Sequence, residues 1–254
     1  MGKKSLKKRN LKIVLEYDGS FFFGFQRQPH HPTIHEALEK ALSSLFNQTT
    51  KIKAASGRTD TGVHAEHQVV NFYTTSGMDA AQIQKGLNAL LPRPIAVKEA
   101  CEVTSDYHAR YSARSKVYEY RIWNHAIRSP LRSSWSHHVP ERLDLKRLKQ
   151  GVCVLKGRHD FRSFCSANGK AKITRTVRTI KRFEVLRDGS LITLRVEADG
   201  FLHHMVRNMV GSLVQLGQGK IEAKDMRKIL ASRDRRKAGP SAPSVGLSLV
   251  SVTY

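Results

Sequence analysis

No apolar run in this chain approaches the roughly 18–20 residues an α-helix needs to cross a bilayer, so no membrane span is expected. Lipidation motifs are missing too. The basic tail, residues 1–10, carries Lys3, Lys4, Lys7, Lys8 and Arg9 but leads into no apolar signal segment. Cysteine is scarce. Cys101, Cys153 and Cys165 are odd in number and lack CxxC spacing, which argues against a disulfide framework and for reduced thiols in a cytoplasmic protein. Metal signatures are absent: His64 and His67 lie three apart, and His30-His31 and His203-His204 add imidazoles, yet no acidic or thiolate ligand stands at a recognisable spacing. Gly169-Lys170 lacks the preceding glycine pattern of a phosphate-cradling loop. No metal and no phosphate-cradling loop is expected.

Acidic residues are the other shortage. The 254 residues hold 21 Asp+Glu against 44 Lys+Arg, a formal net charge of +23 spread through the whole chain. Such an excess points to a polyanionic partner, because neutralising phosphates releases condensed counterions. A merely solvated basic surface is the plainer alternative. Hydrophobic content of 40% fits a soluble globular protein, as one large domain or two small ones.

What is present falls into an order of elements. Alternation predicts a strand over residues 11–17, with Leu11, Ile13, Leu15 and Tyr17 on one face. Thr33 with Glu36 forms a capping box opening a helix whose apolar stripe is Ile34, Leu38, Ala41, Leu42 and Leu45. Extended pieces follow at residues 51–55 and 68–73, then a helix over 79–90 and a strand over 95–103. The first hundred residues therefore read β-α-β-β-α-β, the ferredoxin-like order. The remainder repeats that programme with longer parts: a strand at 117–123, a helix on Leu145, Leu148, Val152 and Leu155, and a hairpin of 176–186 and 191–198. A strongly apolar helix on Leu202, Val206, Met209, Val210, Leu213 and Val214, a short helix at 221–231 and a last strand at 245–254 complete it. The expected domains are the tail 1–10, an N-terminal half 11–105 and a C-terminal half 106–254. No sequence repeat or low-complexity linker separates the halves.

One stretch invites chemistry: Ser56-Gly57-Arg58-Thr59-Asp60-Thr61-Gly62-Val63-His64-Ala65. Its glycines mark a loop, since glycine supplies the positive φ of tight turns. An Asp in such a loop is either a turn-forming residue or a functional acid. Arg58 favours the second, because a neighbouring guanidinium keeps a carboxylate anionic, as a nucleophile requires. Asp60-Thr61-Gly62 also spells an aspartic-protease triplet. That chemistry needs a second such triplet, and the chain has none. Tyr118 and Tyr120 share a strand face, as core residues or as a stacking platform for RNA bases. Arg207 sits on the narrow polar side of the apolar helix, facing solvent or a cleft.

The motif from Gly57 to Ala65 resembles the signature loop of the TruA family of tRNA pseudouridine synthases. Tyr17-Asp18-Gly19 and Phe23-Gly24-Phe25-Gln26-Arg27-Gln28 resemble that family's N-terminal segment, and Lys116-Val117-Tyr118-Glu119-Tyr120-Arg121-Ile122 its central strand. Asp160-Phe161, Gly200-Phe201-Leu202, His204-Met205-Val206-Arg207, Met209-Val210-Gly211, Ala242-Pro243 and Gly246-Leu247 resemble its C-terminal blocks. The likeness runs in order over residues 11–254. Ser56, Thr61 and Phe25 stand where Ala, Ala and Trp are common, and residues 128–143 and 163–172 carry little pattern.

The resemblance implies an α+β fold of two ferredoxin-like halves forming one extended, mostly antiparallel sheet with helices on one face and a central catalytic cleft. It implies isomerisation of uridine to pseudouridine at positions 38, 39 and 40 of the tRNA anticodon arm, without a cofactor. Asp60 is then the nucleophile, attacking ribose C1′ or the uracil ring. Arg58 pairs with Asp60 and fills the gap left by the flipped base. Tyr118 stacks on the uracil and accepts its C5 proton, and Arg207 supports Asp60. Substrate contacts fall to Tyr118, Arg27, His64, Gln68 and Leu247. The partners implied are tRNA and a second copy, as a homodimer in the cytoplasm. A non-catalytic RNA-binding protein with two ferredoxin-like modules is the other reading of the charge and aromatics.

Overall fold

The computed structural model describes residues 8–166 and 175–254. Residues 1–7 of the basic tail, and the Gly169-Lys170 pair, lie outside the described residues. The fold is α+β, as expected, with ten strands and five α-helices among the described residues. The chain divides into two compact units, Met1–Arg114 with Leu249–Tyr254, and Ser115–Ser248.

The first unit runs β1 (Arg9–Tyr17), α1 (Ile34–Phe46), β2 (Ile52–Ala55), β3 (His64–Thr74), α2 (Ala80–Leu90) and β4 (Ile95–Val103). β1 pairs antiparallel with β3 on one side and β4 on the other, and β2 pairs antiparallel with β3, which is the ferredoxin-like arrangement. The odd-numbered face of β1 puts Leu11, Ile13 and Leu15 opposite Phe72, Val70 and Gln68 of β3. Phe46, the last residue of α1, packs on Phe72, with ring centroids 6.0 Å apart, so α1 covers that face. The segment after β4 binds the other face. Asn10 donates to the carbonyls of Thr104 and Tyr107, and Asn71 accepts from the Ala109 amide. These buried amides satisfy one another, since Asn71 Nδ2 also donates to Asn10 Oδ1 at 2.9 Å.

The second unit runs β5 (Ser115–Asn124), β6 (His137–Val139), α3 (Leu145–Leu155), β7 (Gly157–Asp160), β8 (Val177–Asp188), β9 (Leu191–Ala198), α4 (Met205–Gly217) and α5 (Ala223–Ser232). β5–β9, β9–β8 and β8–β7 pair antiparallel, while β6 lies parallel to β5, which makes the sheet mixed. α4 is buried along nearly its whole length. β10 (Leu247–Thr253) leaves this unit at Ser248 and finishes in the first.

Four differences from the sequence expectation have physical causes. β3 begins at His64 rather than residue 68, because Ala65 already pairs with Tyr17 of β1. α4 begins at Met205 rather than Leu202, since His204 is held left-handed at φ 58° and cannot continue a helix. β6 and β7 are three and four residues long, too short to show alternation. α5 starts at Ala223 and not at residue 221, behind a Glu222 cap whose amide donates to Asp225 Oδ2 at 3.0 Å.

Candidate active site

The loop between β2 and β3 is fixed at its base by Ser56. Its amide donates to Val69 O at 2.7 Å, and its hydroxyl donates to Gln68 Oε1 at 2.7 Å. Gln68 Nε2 in turn donates to Gly57 O at 2.7 Å. Midway, Thr59 is buried and its hydroxyl meets the Tyr17 hydroxyl at 2.7 Å. At the tip, Val63 N–H donates to Asp60 O at 3.1 Å, and Gly62 holds φ 76°. That is a type II turn with glycine where the positive φ falls.

A second segment wraps this loop. Phe25 N–H donates to Thr59 O at 3.0 Å, and Gly62 N–H to Phe22 O at 3.4 Å. Gly24, at φ 87°, lies so close that a β-carbon there would stand 2.8 Å from Thr59 O and 3.1 Å from the Asp60 carbonyl carbon. A β-carbon at Gly19 would overlap Val63 O outright. These two glycines belong to the Tyr-Asp-Gly and Phe-Gly-Phe motifs, and their lack of a side chain lets one backbone lie on the other. His64, nearly buried, closes the wrap: its Nδ1 is 3.2 Å from Gly19 N and 3.1 Å from Asp18 Oδ1. The backbone on both sides of Asp60 is thus tied, and Asp60 itself is half-buried.

Arg58 lies two residues before Asp60 in the same loop. It is exposed. Residues 57–60 lie outside any strand. Gln68 departs from expectation: it is fully buried with its amide committed to Ser56 and Gly57, so it braces the loop. Arg27 is exposed, with Nη2 3.2 Å from Glu36 Oε1.

In the second unit, Tyr118 on β5 is buried, its ring edge-on to Phe201 at 5.0 Å and 83°. Tyr120, two residues on, is wholly buried and donates its hydroxyl to Pro243 O at 2.8 Å. Burial pushes that phenol well above its ordinary pKa, and the charge of Arg207 acts the other way. Arg207 Nε donates to Ala242 O at 2.8 Å, while Ala242 N–H donates to Arg207 O at 3.0 Å. Leu247 is buried at the start of β10. Before α4, His203 and His204 stack at 3.8 Å, with Nδ1 atoms 3.3 Å from Ser166 O and 3.2 Å from Ser166 Oγ respectively.

Sequence reasoning missed Thr59, Gly19 and Gly24 as parts of the site. All three had a signal as members of the matched motifs, but the partner of Thr59, Tyr17, lies 42 residues away.

Residues 13–112 and 153–254 match the model of the family described as tRNA pseudouridine synthase, and the chain belongs to that family. It is 42% identical to tRNA pseudouridine synthase A of Geobacillus kaustophilus over 97% of this chain and 95% of that relative. It is 40% identical to the protein of that name from Acetivibrio thermocellus, over 97% and 100% of the two chains, and 40% identical to that of Geobacter sp. strain M21, over 97% and 99%.

Proposed function

We propose that this chain isomerises uridine to pseudouridine in tRNA, at positions 38, 39 and 40 of the anticodon arm, with Asp60 as the nucleophile. The observation that carries the reading is the lock on the Asp60 turn, which holds one carboxylate on a fixed backbone in a chain of this family. Asp60 attacks C1′ or the uracil ring, the bond from N1 to C1′ breaks, the base turns over, and C5 bonds to C1′. The proton on C5 then leaves. One carbon–nitrogen bond is exchanged for a carbon–carbon bond without net electron transfer, so the balance of the reaction calls for no redox cofactor. A covalent intermediate divides the exchange into two smaller barriers.

Tyr118 stacks on the uracil and receives the C5 proton; its ring, steadied by Phe201, suits that task. Arg58, exposed beside the turn, fills the stack vacated by the flipped uridine, which offsets part of the few kcal/mol that flipping costs. Arg207 supports the Asp60 carboxylate. His64 and Leu247 shape the site, Arg27 meets phosphate, and Gln68 serves the loop from behind. The enzyme acts as a cytoplasmic homodimer, and light scattering of the purified chain tests the dimer. Mapping pseudouridine in unmodified tRNA after incubation with the purified chain tests the reaction. Pseudouridine at 38–40 without added cofactor is expected, and its appearance only elsewhere would overturn the assignment of position.

A further inference from the structure

On charge alone, the run Arg233-Asp234-Arg235-Arg236-Lys237 reads as an edge for phosphates. Its arginines do different things. Arg233 and Arg236 are exposed and pair with Asp160 at 3.3 Å and Asp234 at 2.8 Å. Arg235 turns inward. Its Nη1 donates to the carbonyls of Ala238 at 3.3 Å and Gly239 at 3.0 Å, and its Nη2 to Asn208 Oδ1 at 3.0 Å and Ser241 Oγ at 3.3 Å. All four acceptors are neutral, so what holds it is the fork geometry of the guanidinium.

Asn208 is fully buried on α4, one residue past Arg207, and donates to Phe164 O at 2.8 Å and Ser166 Oγ at 3.2 Å. The Ser241 hydroxyl donates to its Oδ1. One turn on, Ser212 Oγ accepts from Gly239 N–H at 2.9 Å, and Gly211 leaves room for the Pro240 carbonyl. Residues 239–241 are thereby strapped to α4, and Arg235 ties Ala238 to them. The next two carbonyls of the strap serve the site: Ala242 O takes Arg207 Nε, and Pro243 O takes the Tyr120 hydroxyl. Tyr120 shares a strand face with Tyr118.

We propose that Arg235 is a positioning residue for the isomerisation, fixing the strap of residues 238–243 so that Ala242 aims Arg207 and Pro243 steadies the strand bearing Tyr118. The inference rests on the roles given to Arg207 and Tyr118 above. Fully satisfied polar networks of this kind rigidify what they touch. The guanidinium is spent on the strap and is unavailable to phosphate.

The test compares kcat, KM for tRNA, tRNA affinity against salt, and melting temperature in Arg235→Lys, Arg235→Met, Arg207→Lys and the double variant Arg207→Lys/Arg235→Met. Rates are taken per folded site, at a temperature where each variant is folded. Both Arg235 variants are expected to lose roughly tenfold to a hundredfold in kcat, as misplacement of a catalytic group does. Their KM and the salt slope of binding stay at wild-type values. The double variant is expected to lose less than the product of the two single losses, because part of the effect of Arg235 passes through Arg207. Unchanged kcat in both Arg235 variants overturns the proposal. So does weaker binding with a shallower salt slope, which marks a phosphate contact, and so does a multiplicative loss in the double variant. Arg207→Lys at the wild-type rate would instead remove the role of Arg207 itself, whereas an impaired Arg207→Lys beside fully active Arg235 variants removes this proposal alone.

Discussion

Gly24 lies against the backbone on both sides of Asp60, next to Thr59 O and Thr61 N. Its positive φ and its contact with Thr59 O leave no place for a side chain. Gly24→Ala is expected to lose about 1–3 kcal/mol of stability and a large part of kcat, whereas Gly77→Ala, which meets nothing within 4 Å, should stay within about 0.5 kcal/mol. Urea unfolding and initial rates on tRNA check both. Glu39 offers a pH test. Burial acts to raise its pKa, but the Ile52 amide, His35 and Lys51 together hold it below the ordinary value. The folded state therefore prefers the ionised form. Its stabilising effect is complete above pH 4.5 and is lost as pH falls through the lowered folded value. Glu39→Gln should be less stable at neutral pH by roughly 1–3 kcal/mol and should lose less on acidification than the wild type, as read by urea unfolding across pH. At this scale the loop that holds Asp60 was legible, because its glycines are local signals. The Tyr17–Thr59 bond and the commitment of Gln68 were not, because they depend on residues far apart in sequence.

Elements were legible where a cap or an alternation announced them. Asp79 and Gln82 form both halves of a capping box at α2, with Gln82 N to Asp79 Oδ1 at 2.8 Å and Asp79 N to Gln82 Oε1 at 3.0 Å. At α1, Thr33 accepts from Glu36 N at 3.3 Å, but the Glu36 carboxylate reaches Arg27. Asp79→Ala and Thr33→Ala should each cost about 1 kcal/mol, measured by urea unfolding, because each removes the acceptor of an otherwise unpaired helix amide. The β8–β9 hairpin followed from its turn, where Gly189 sits at φ 55°. β6 was hidden because it pairs parallel to β5 across an irregular stretch with no period of its own. The start of α4 was hidden because His204 looks like any helix residue, and only its left-handed backbone shows where the helix can begin.

For the whole molecule, net charge and family membership converge on one partner. With +23 formal charges the chain should bind tRNA with an affinity that falls steeply and linearly in log–log form with salt, each phosphate contact adding about 0.7–0.9 to the slope. Filter binding at several salt concentrations measures it, and a flat profile would contradict an electrostatic hold. Composition gave the class of partner, and element order gave two α+β units. The return of Leu249–Tyr254 to the first unit needed coordinates, since nothing in a terminal strand says which sheet it will join. The central claim remains that Asp60 is the nucleophile. Asp60→Asn removes the charge at nearly constant shape, and the decisive measurement is its pseudouridine yield on tRNA beside its tRNA affinity. The account predicts no pseudouridine with affinity essentially that of the wild type. Wild-type pseudouridine yield from Asp60→Asn would contradict it.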